Sequence, residues 1–255
     1  MATISEIAAY LEERVPSSLK LDYDNVGLLC GFPDKEVTRV LCALDVTGEV
    51  IAEAEELGAE LILTHHPVIF HPLKRVLATD EVGSKIIGLL QKGISAICLH
   101  TNLDAADGGV NDALSVAIGA LIRKKLPVGR VVELPQEESM DDFLQRVHTF
   151  LRASGIRYYD AGRPVHRIVV CGGAGGDLIE EALSDGADTL LTGEIRYDEW
   201  LTGREMGVNL VDADHFCTEN VVIPVLVDML RDGFEGIDVY TSSRHDQTAK
   251  GFKHI

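Results

Sequence analysis

Two stretches of the chain repeat one pattern of apolar and polar positions. Residues 37–66 and 165–194 each begin with a β-branched apolar run, pass through a glycine-marked turn into a segment rich in Ala and Glu, and end in a second β-branched run. Short apolar runs of this kind are typical of buried strands, and the segment between them favours a helix. Each stretch is therefore predicted to form a strand, a crossover helix and a second strand, the unit from which parallel sheets are built.

The two stretches also align without gaps at a constant offset of 128 residues. Ten of the thirty aligned positions are identical, where composition alone would give about two. Since the offset is about half the chain length, we interpret the pattern as a duplicated domain and not as a solenoid, whose repeats run to roughly 20 to 50 residues. The prediction is an α/β protein of two related three-layer α/β lobes, with residues 1–127 forming the first repeat and residues 128–255 the second.

Polar side chains follow the predicted strands at their carboxyl ends. His65 and His66 end the run LILT. Further groups follow the next run of each copy: His100, Asn102 and Asp104 in the first, and Asp212, Asp214, His215 and Glu219 in the second. In open parallel sheets, ligands gather just beyond the carboxyl ends of the strands. These clusters therefore contain the candidate functional residues.

The ligand types in these clusters indicate a metal site. Imidazoles and carboxylates without a required thiolate are typical ligands of Zn, Fe, Mn, Co or Ni, whereas Mg and Ca take mostly oxygen ligands. Adjacent residues of a strand point to opposite faces, so His65 and His66 are expected to diverge and to serve two neighbouring ions. His215 and Glu219 are four residues apart and face the same way if they share a helix, which makes Glu219 the candidate bridging ligand.

Each of these residues also has a structural interpretation. A single histidine at a strand end is usually a hydrogen-bonded core or surface residue. Asp104, or more readily Asp107, is a candidate cap for the helix predicted after it, and Thr218 is a candidate cap for a helix beginning near it. His71 and His245 are candidates for contacts close to the site, although their default interpretation is also structural.

The glycine-rich stretch GGAGGD at 172–177 resembles a phosphate-binding loop, because glycine-rich turns before helices bind anions. The match is weak, since no Lys or Ser/Thr follows in Walker spacing and the first copy has LDVTGE at the same place. A Rossmann-like nucleotide binder without metal is disfavoured for a similar reason, because no G-x-G-x-x-G stands in the required place.

The overall charge argues against nucleic acid and membranes as partners. The formal net charge is −18, which repels phosphate backbones and anionic lipids. No apolar run approaches the ~20 residues of a membrane-spanning helix, and the N-terminal stretch carries acidic residues where a signal peptide is basic. The five cysteines are odd in number and lack C-x-x-C spacing, which favours free thiols in a reducing cytosol. We therefore predict a cytoplasmic protein.

Several of these stretches together resemble one family, the GTP cyclohydrolase I type 2 homologues, also called the NIF-three-like dinuclear-metal family. The resemblance extends over nearly the whole chain and is carried, in this order, by DNVGLLCG, CALDVT, LILTHHP, HTNLDAADGGVNDAL, TGEIRY and DADHFCTEN. It implies toroidal homohexamers and two divalent metal ions per chain, in a cleft between the two lobes. The ligands implied by the resemblance are His65, His66, Asp104, His215 and Glu219, with His100 close by. Asp198, just after TGEIRY, departs from the family, because many relatives carry a histidine there.

The chemistry that follows is hydrolysis. A metal pair lowers the pKa of bound water toward ~7 and clamps both the attacked and the leaving groups. Our first hypothesis is therefore a dinuclear-metal-dependent hydrolase resembling GTP cyclohydrolase I type 2, with metal hydroxide attacking GTP, another purine nucleotide or a related small molecule. His100 and Asp45 are the candidate catalytic residues, as proton handlers beside the metals. The alternative is a non-catalytic metal-binding ring that stores, delivers or senses divalent metal, or an interaction scaffold.

Overall fold

The computed structural model describes residues 2–153 and 155–245. Up to Ala106 the elements are β1 (Ala2–Thr3), α1 (Ile4–Arg14), β2 (Gly27–Cys30), β3 (Glu36–Val37), β4 (Arg39–Ala43), α2 (Gly48–Leu57), β5 (Leu61–Thr64), α3 (Glu81–Lys92), β6 (Ser95–Cys98) and α4 (Thr101–Ala105). There follow α5 (Val110–Ala117), β7 (Leu121–Lys125), β8 (Arg130–Glu138), α6 (Met140–Leu151), β9 (Arg157–Tyr159), β10 (Val165–Cys171), α7 (Ile179–Ser184), β11 (Thr189–Thr192), α8 (Tyr197–Met206), β12 (Asn209–Asp212) and α9 (His215–Glu219). The last elements are α10 (Ile223–Gly233) and β13 (Asp238–Thr241).

These elements form two compact units that differ in extent from the predicted repeats. Among the described residues, the first unit contains the chain up to Ala106 and again from Ile223 to His245, whereas the second runs from Asp107 to Val222. The chain returns to its first unit because β13 pairs in parallel with β4, with Asp238 opposite Arg39. The predicted segments, 1–127 and 128–255, do not include this return, and residues 246–255 lie outside the described part of the chain.

The sheet of the first unit has the strand order β13-β4-β5-β6-β2, and its first four strands are parallel. The register brings the strand ends level, since Ala43 lies opposite Thr64 and Thr64 opposite Cys98. Because parallel strands end at one edge, the residues after Ala43, Thr64, Cys98 and Thr241 all begin at the same edge of this sheet. The histidines of this unit that are predicted to be functional follow the strands at that edge.

Helices cover this sheet on both faces. On one face, Leu41, Ile62 and Ala96 pack with residues of α2 and α3 in one buried cluster. The alternate strand residues, such as Val40 and Leu63, are fully buried as well. The helices α1 and α10 also contact the sheet. A 2.8 Å hydrogen bond from the Tyr10 hydroxyl to the Met229 carbonyl joins these two helices. The central strands β5 and β6 are buried at every position, as a parallel sheet between two helical layers requires.

The sheet of the second unit has the order β7-β8-β10-β11-β12-β9, with β10, β11 and β12 parallel. Residues of α5 and α6 pack on one face, in a cluster with Val170 and Leu191. Residues of α7 and α8 pack on the other face, in a cluster with Val169 and Leu190. The predicted α/β architecture of two related three-layer lobes is therefore confirmed.

The duplication extends to individual hydrogen bonds. The strands β5 and β11 lie at 61–64 and 189–192, the predicted offset of 128 residues. The carboxylate of Glu60 accepts the backbone N–H groups of Thr38 and Arg39 at 3.0 and 2.9 Å. At the same offset, Asp188 accepts those of His166 and Arg167 at 3.1 and 2.8 Å. One acidic residue thus anchors the start of the first parallel strand in both copies.

The cysteine side chains are structural rather than chemical. All five are free thiols, and four of them are buried while Cys30 is half-buried. Burial raises the pKa of Cys42 to about 12 and that of Cys98 to about 11, so these thiols stay protonated near neutral pH and are poor metal ligands. No helix among residues 2–153 and 155–245 combines the length and the apolar composition needed to cross a bilayer.

Candidate metal centre

Three imidazoles meet at the carboxyl edge of the first unit's sheet. His65 and His66 come directly after β5, and His100 comes two residues after β6. The ring centroids of His65 and His66 are 5.0 Å apart, and those of His65 and His100 are 5.2 Å apart. One ring nitrogen of each of the three histidines lies within 4.8 Å of the others. A set of nitrogens converging at this spacing can hold a divalent cation.

His65 presents a ring nitrogen to the carboxylate of Asp104. The side chain of His65 is fully buried, and its Nδ1 lies 2.9 Å from the carbonyl oxygen of Leu99. Since a carbonyl oxygen only accepts hydrogen bonds, Nδ1 carries the proton and Nε2 keeps its lone pair. This Nε2 lies 3.7 Å from Oδ1 of Asp104, beyond hydrogen-bond range. Two electron-pair donors facing each other at this distance fit the requirements of a bound cation.

His66 and His100 are each oriented by a carboxylate. The Nδ1 atom of His66 lies 2.8 Å from Oδ1 of Asp45, which follows β4. The Nδ1 atom of His100 lies 2.8 Å from Oδ1 of Asp24. A carboxylate on Nδ1 fixes the ring and its tautomer, so that Nε2 is the atom offered to a metal, and it raises the basicity of the imidazole. The same nitrogen is therefore offered by all three rings.

Asp24 was not identified as a functional residue from the sequence. It is buried, and its Oδ2 accepts the backbone N–H of Thr101 at 3.0 Å and the Thr101 hydroxyl at 2.5 Å. Burial alone would raise the pKa of Asp24, but the hydrogen bonds from His100 and Thr101 outweigh it and hold the pKa well below its usual range. Asp24 is therefore ionised when it holds His100. The one signal in the sequence was its place at the start of DNVGLLCG.

The expectation that His65 and His66 diverge to opposite faces of a strand is wrong. The strand β5 ends at Thr64, so the alternation of a regular strand does not extend to the two histidines. The backbone N–H of His66 instead donates to Leu44 at 2.9 Å, and the Thr64 hydroxyl donates to the His66 carbonyl at 2.9 Å. Both rings can therefore serve one ion, and the number of ions stays a prediction from the family resemblance.

Asn102 and Asp107 have structural contacts. Oδ1 of Asn102 accepts the backbone N–H of His100 at 2.9 Å, and its amide donates to Val15 at 3.0 Å. The predicted cap by Asp104 or Asp107 is wrong, because the N-cap of α5 is Gly109, without a side-chain hydrogen bond. The Asp107 carboxylate pairs with Lys125.

The second unit provides a smaller ligand set on α9. His215 and Glu219 share this helix, as predicted, and Nε2 of His215 lies 3.1 Å from Oε2 of Glu219. Nδ1 of His215 lies 3.0 Å from Oε1 of Glu194. Glu219 is 3% exposed. A buried carboxylate beside an imidazole held by another carboxylate repeats the ligand chemistry of the first unit.

The helix α9 begins earlier than the sequence suggested. Its N-cap is Asp214, whose φ is +74° and whose Oδ1 accepts the backbone N–H of Cys217 at 3.1 Å. The predicted cap by Thr218 is wrong, since the Thr218 hydroxyl donates back to the Asp214 carbonyl at 3.0 Å. Asp212 accepts the backbone N–H of Asp214 at 3.3 Å and pairs with Arg157, and burial raises its pKa in spite of that arginine. Asp212 and Asp214 therefore shape the start of the helix that carries His215.

The glycine-rich stretch at 172–177 packs against this ligand set. A Cβ atom on Gly173 would lie 2.2 Å from Oε1 of Glu219, and Gly173 has a φ of +64°. Two amide groups of the loop are already engaged, since Gly173 donates to the Thr218 hydroxyl at 3.1 Å and Gly175 donates to the Thr192 hydroxyl at 2.8 Å. These contacts do not support the phosphate-loop interpretation. Glycine at position 173 leaves the space that the Glu219 carboxylate occupies.

The remaining residues considered in the sequence analysis differ in how far their side chains are buried. His245 follows β13 and is buried, and its Nδ1 accepts the backbone N–H of Leu44 at 3.2 Å. His71 is exposed, with its ring centroid 4.8 Å from that of Phe70. Asp198 lies near the start of α8, is largely exposed and forms a 3.7 Å ion pair with Arg196.

Comparisons with known proteins identify the family of this chain. The model of the Duf34/NIF3 (NGG1p interacting factor 3) family matches residues 2–247. The chain is 37% identical over 245 residues to a GTP cyclohydrolase 1 type 2 homolog of Clostridium perfringens, covering 92% of each protein. It is 32% identical to the homolog of Lactococcus lactis, covering 94% of this chain and 95% of that one.

A solved structure has the same fold. The crystal structure of hypothetical protein SA1388 from Staphylococcus aureus matches with a TM-score of 0.90 and 28% identity, over 99% of both chains. The family model and the two relatives each cover nearly the whole chain. The chain therefore belongs to the Duf34/NIF3 family, whose members include the GTP cyclohydrolase I type 2 homologues that its motifs resemble.

Proposed function

We propose that this protein is a divalent-metal-dependent hydrolase of the GTP cyclohydrolase 1 type 2 kind. The observation that carries the proposal is the cluster of His65, His66 and His100, in which one nitrogen of each ring lies within 4.8 Å of the others. Every one of these rings is held through Nδ1 by an oxygen acceptor at 2.8 to 2.9 Å. Such positioning of the non-ligating nitrogen is characteristic of histidines that bind a catalytic metal.

The ligand chemistry fits a borderline divalent cation, and we name Zn, Fe, Mn, Co and Ni as candidates. A cation held there supplies Lewis-acid polarisation of a substrate oxygen and lowers the pKa of a coordinated water toward ~7. In this proposal His65, His66 and Asp104 are ligands. A ring nitrogen of His100 belongs to the same cluster, so we assign His100 to metal binding rather than to proton transfer.

Asp45 is the residue best suited to move a proton. Its Oδ1 lies 2.8 Å from Nδ1 of His66, and its side chain is 41% exposed. A carboxylate that contacts both solvent and a ligand histidine can accept a proton from a reacting group while it keeps the imidazole in one tautomer. We propose this double role for Asp45.

The second ligand set supports a second cation. His215 and Glu219 are the same residue types that bind in the first unit, and His215 is likewise held by a carboxylate, that of Glu194. We propose that the chain binds two divalent ions and that His215 and Glu219 are among their ligands. The substrate we propose is a purine nucleotide such as GTP, on the strength of the relatives' names.

The experiment uses protein purified without chelators or a nickel column. Elemental analysis gives the metal content of the wild type and of the variants His66→Ala and Glu219→Gln, with His166→Ala as the control because His166 lies outside both ligand sets. We expect about two ions per chain in the wild type and in the control, and fewer in the two variants. Unchanged metal content in both variants contradicts the metal assignment.

The activity is tested separately on the metal-loaded protein. It is incubated with GTP, and formate release is followed against a metal-only background. Turnover that disappears in His66→Ala supports the hydrolase. Full metal content without turnover contradicts the cyclohydrolase activity and favours the alternative of a metal store or sensor.

A further inference from the structure

A cavity of about 200 Å³ opens beside His66 in the first unit. Its walls include His66 and Asp45 from the candidate metal centre, and Phe70, Val82 and Lys85 from the loop after β5 and from α3. Clefts that enclose drug-sized ligands measure ~300–1,000 Å³. The cavity is therefore large enough for one ring system next to the metal centre and too small to enclose a whole nucleotide.

Most of the lining is apolar. Val46, Val68, Leu73 and Val82 are all part of the wall. Phe70 adds an aromatic ring that is 36% exposed. The apolar part of the wall favours a flat ring over a sugar or a phosphate, because polar groups placed against it lose hydration without compensation. Aromatic rings add stacking to this preference.

Phe70 connects the cavity to the imidazole cluster. Its ring centroid lies 5.9 Å from that of His100 and 6.2 Å from that of Tyr23, in edge-to-face geometry. Tyr23 is 66% exposed. A ring bound against Phe70 would therefore lie next to the histidines that we propose bind the metal.

Lys85 is the lysine among the polar residues of the wall and offers a hydrogen-bond donor. Its side chain is 22% exposed, and its Nζ lies 2.6 Å from Oε1 of Glu81, one helical turn earlier. An ammonium group has three protons to donate. Lys85 can therefore keep its bond to Glu81 and still donate to an acceptor atom of a bound ring.

From these contacts we infer that the cavity is the specificity subsite of the enzyme and binds a heteroaromatic ring whose acceptor atoms face Lys85. The inference rests on the proposed function for the position of the reacting bond at the metal centre. The binding of the ring itself needs no metal. The two proposals can therefore fail independently.

The test uses guanosine as the probe and ribose as the control that lacks the base, and neither carries a phosphate that could bind a metal. Binding is measured by saturation-transfer NMR and calorimetry on metal-loaded and on chelator-stripped protein. We expect guanosine to bind both forms and ribose to bind neither. Absence of guanosine binding to both forms, or equal binding of ribose, overturns the inference.

Substitutions in the cavity wall test whether guanosine binds there. Val82→Trp fills the cavity and should weaken guanosine binding by at least about tenfold, because the ring is excluded sterically. Leu90→Trp is the matched control, since Leu90 lies on the same helix and is 44% exposed. Phe70→Ala, at an exposed loop position, gives a second test that does not depend on the fold of α3. Guanosine binding that is unchanged in both Val82→Trp and Phe70→Ala places the probe elsewhere and overturns the inference.

Lys85 is tested by a pair of substitutions. Lys85→Met should weaken guanosine binding by about fivefold through loss of one hydrogen bond, whereas Lys85→Arg keeps a donor and should retain most of the affinity. Equal loss in both variants contradicts a direct bond from Lys85 to the ring. Metal content is measured in every variant and should equal that of the wild type, which separates this subsite from the metal centre.

Discussion

Asp24 and His100 are 76 positions apart in the chain, yet Oδ1 of Asp24 lies 2.8 Å from Nδ1 of His100. The aspartate therefore determines which nitrogen His100 offers to a metal. Asp24 is ionised over the whole physiological range, because its hydrogen bonds to His100 and Thr101 keep its pKa low in spite of burial. A residue that the sequence did not single out thus supports one of the three clustered imidazoles.

Replacing Asp24 tests this support. We expect Asp24→Asn to lower the affinity for divalent metal by about 10- to 100-fold, the usual cost of losing a carboxylate behind a ligand histidine. The affinity is measured by competition with a chromogenic chelator. Asp22→Asn is the control, because Asp22 is an exposed neighbour. Equal affinity of Asp24→Asn and wild type would show that His100 does not bind the metal.

Gly173 is expected to be irreplaceable in the second ligand set. In Gly173→Ala the new Cβ meets Oε1 of Glu219 at 2.2 Å, so we expect a loss of about 2 kcal/mol in the free energy of unfolding and a lower metal content. Gly162→Ala is the matched control, since Gly162 has a φ of +75° with no atom within 4 Å of its Cβ position. The control carries the backbone strain without the clash. Equal destabilisation of both variants, measured by urea unfolding, contradicts the packing argument.

Glu60 makes the stability of the first unit depend on pH. Burial alone would raise its pKa, but hydrogen bonds from Thr38 and from the backbone N–H of Arg39 hold the pKa below the ordinary value of 4.5. A carboxyl group whose pKa is lowered by folding contributes stability above its unfolded pKa and loses it as the pH falls through the folded value.

We therefore expect Glu60→Gln to be less stable than wild type by about 1 kcal/mol at neutral pH, with the difference shrinking below about pH 4. Urea unfolding of the two proteins at neutral pH and again below about pH 4 measures the difference in stability. Asp188→Asn is the equivalent substitution in the second copy, where Asp188 binds His166 and Arg167 in the same way. A difference that stays constant with pH would exclude ionisation of Glu60 as its cause.

The buried thiols should be unreactive. Because burial raises the pKa of Cys42 to about 12 and that of Cys98 to about 11, we expect slow labelling of both by a thiol reagent at pH ~8. Half-buried Cys30 should react first. Mass spectrometry after timed labelling identifies the modified residue. Removing the metal should leave the rates unchanged, and a large increase at any cysteine would mean that the metal is held by a thiolate.

The family resemblance predicts an assembly of six chains. Size-exclusion chromatography with light scattering measures the mass of the native protein directly, and we expect a homohexamer. Measuring the same mass after metal removal shows whether the assembly depends on the cations. A monomeric native protein contradicts this prediction.

The sequence by itself determined the local structure of this protein. The apolar runs predicted β4, β5, β10 and β11, and the 128-residue offset predicted a duplication that the structure repeats down to the hydrogen bonds of Glu60 and Asp188. These features depend on neighbouring residues and on burial, which the periodicity of apolar positions reports directly.

Only the tertiary structure decided how distant residues combine. Strand β13 joins the first sheet beside β4, and Asp24 reaches His100, because packing and pairing over long separations leave no periodic signal in the chain. The convergence of His65 and His66 could not be predicted from the sequence either, since it depends on β5 ending at Thr64 and not one residue later. Adjacent side chains point to opposite faces only within a regular strand, so the position of the strand end decides whether they diverge.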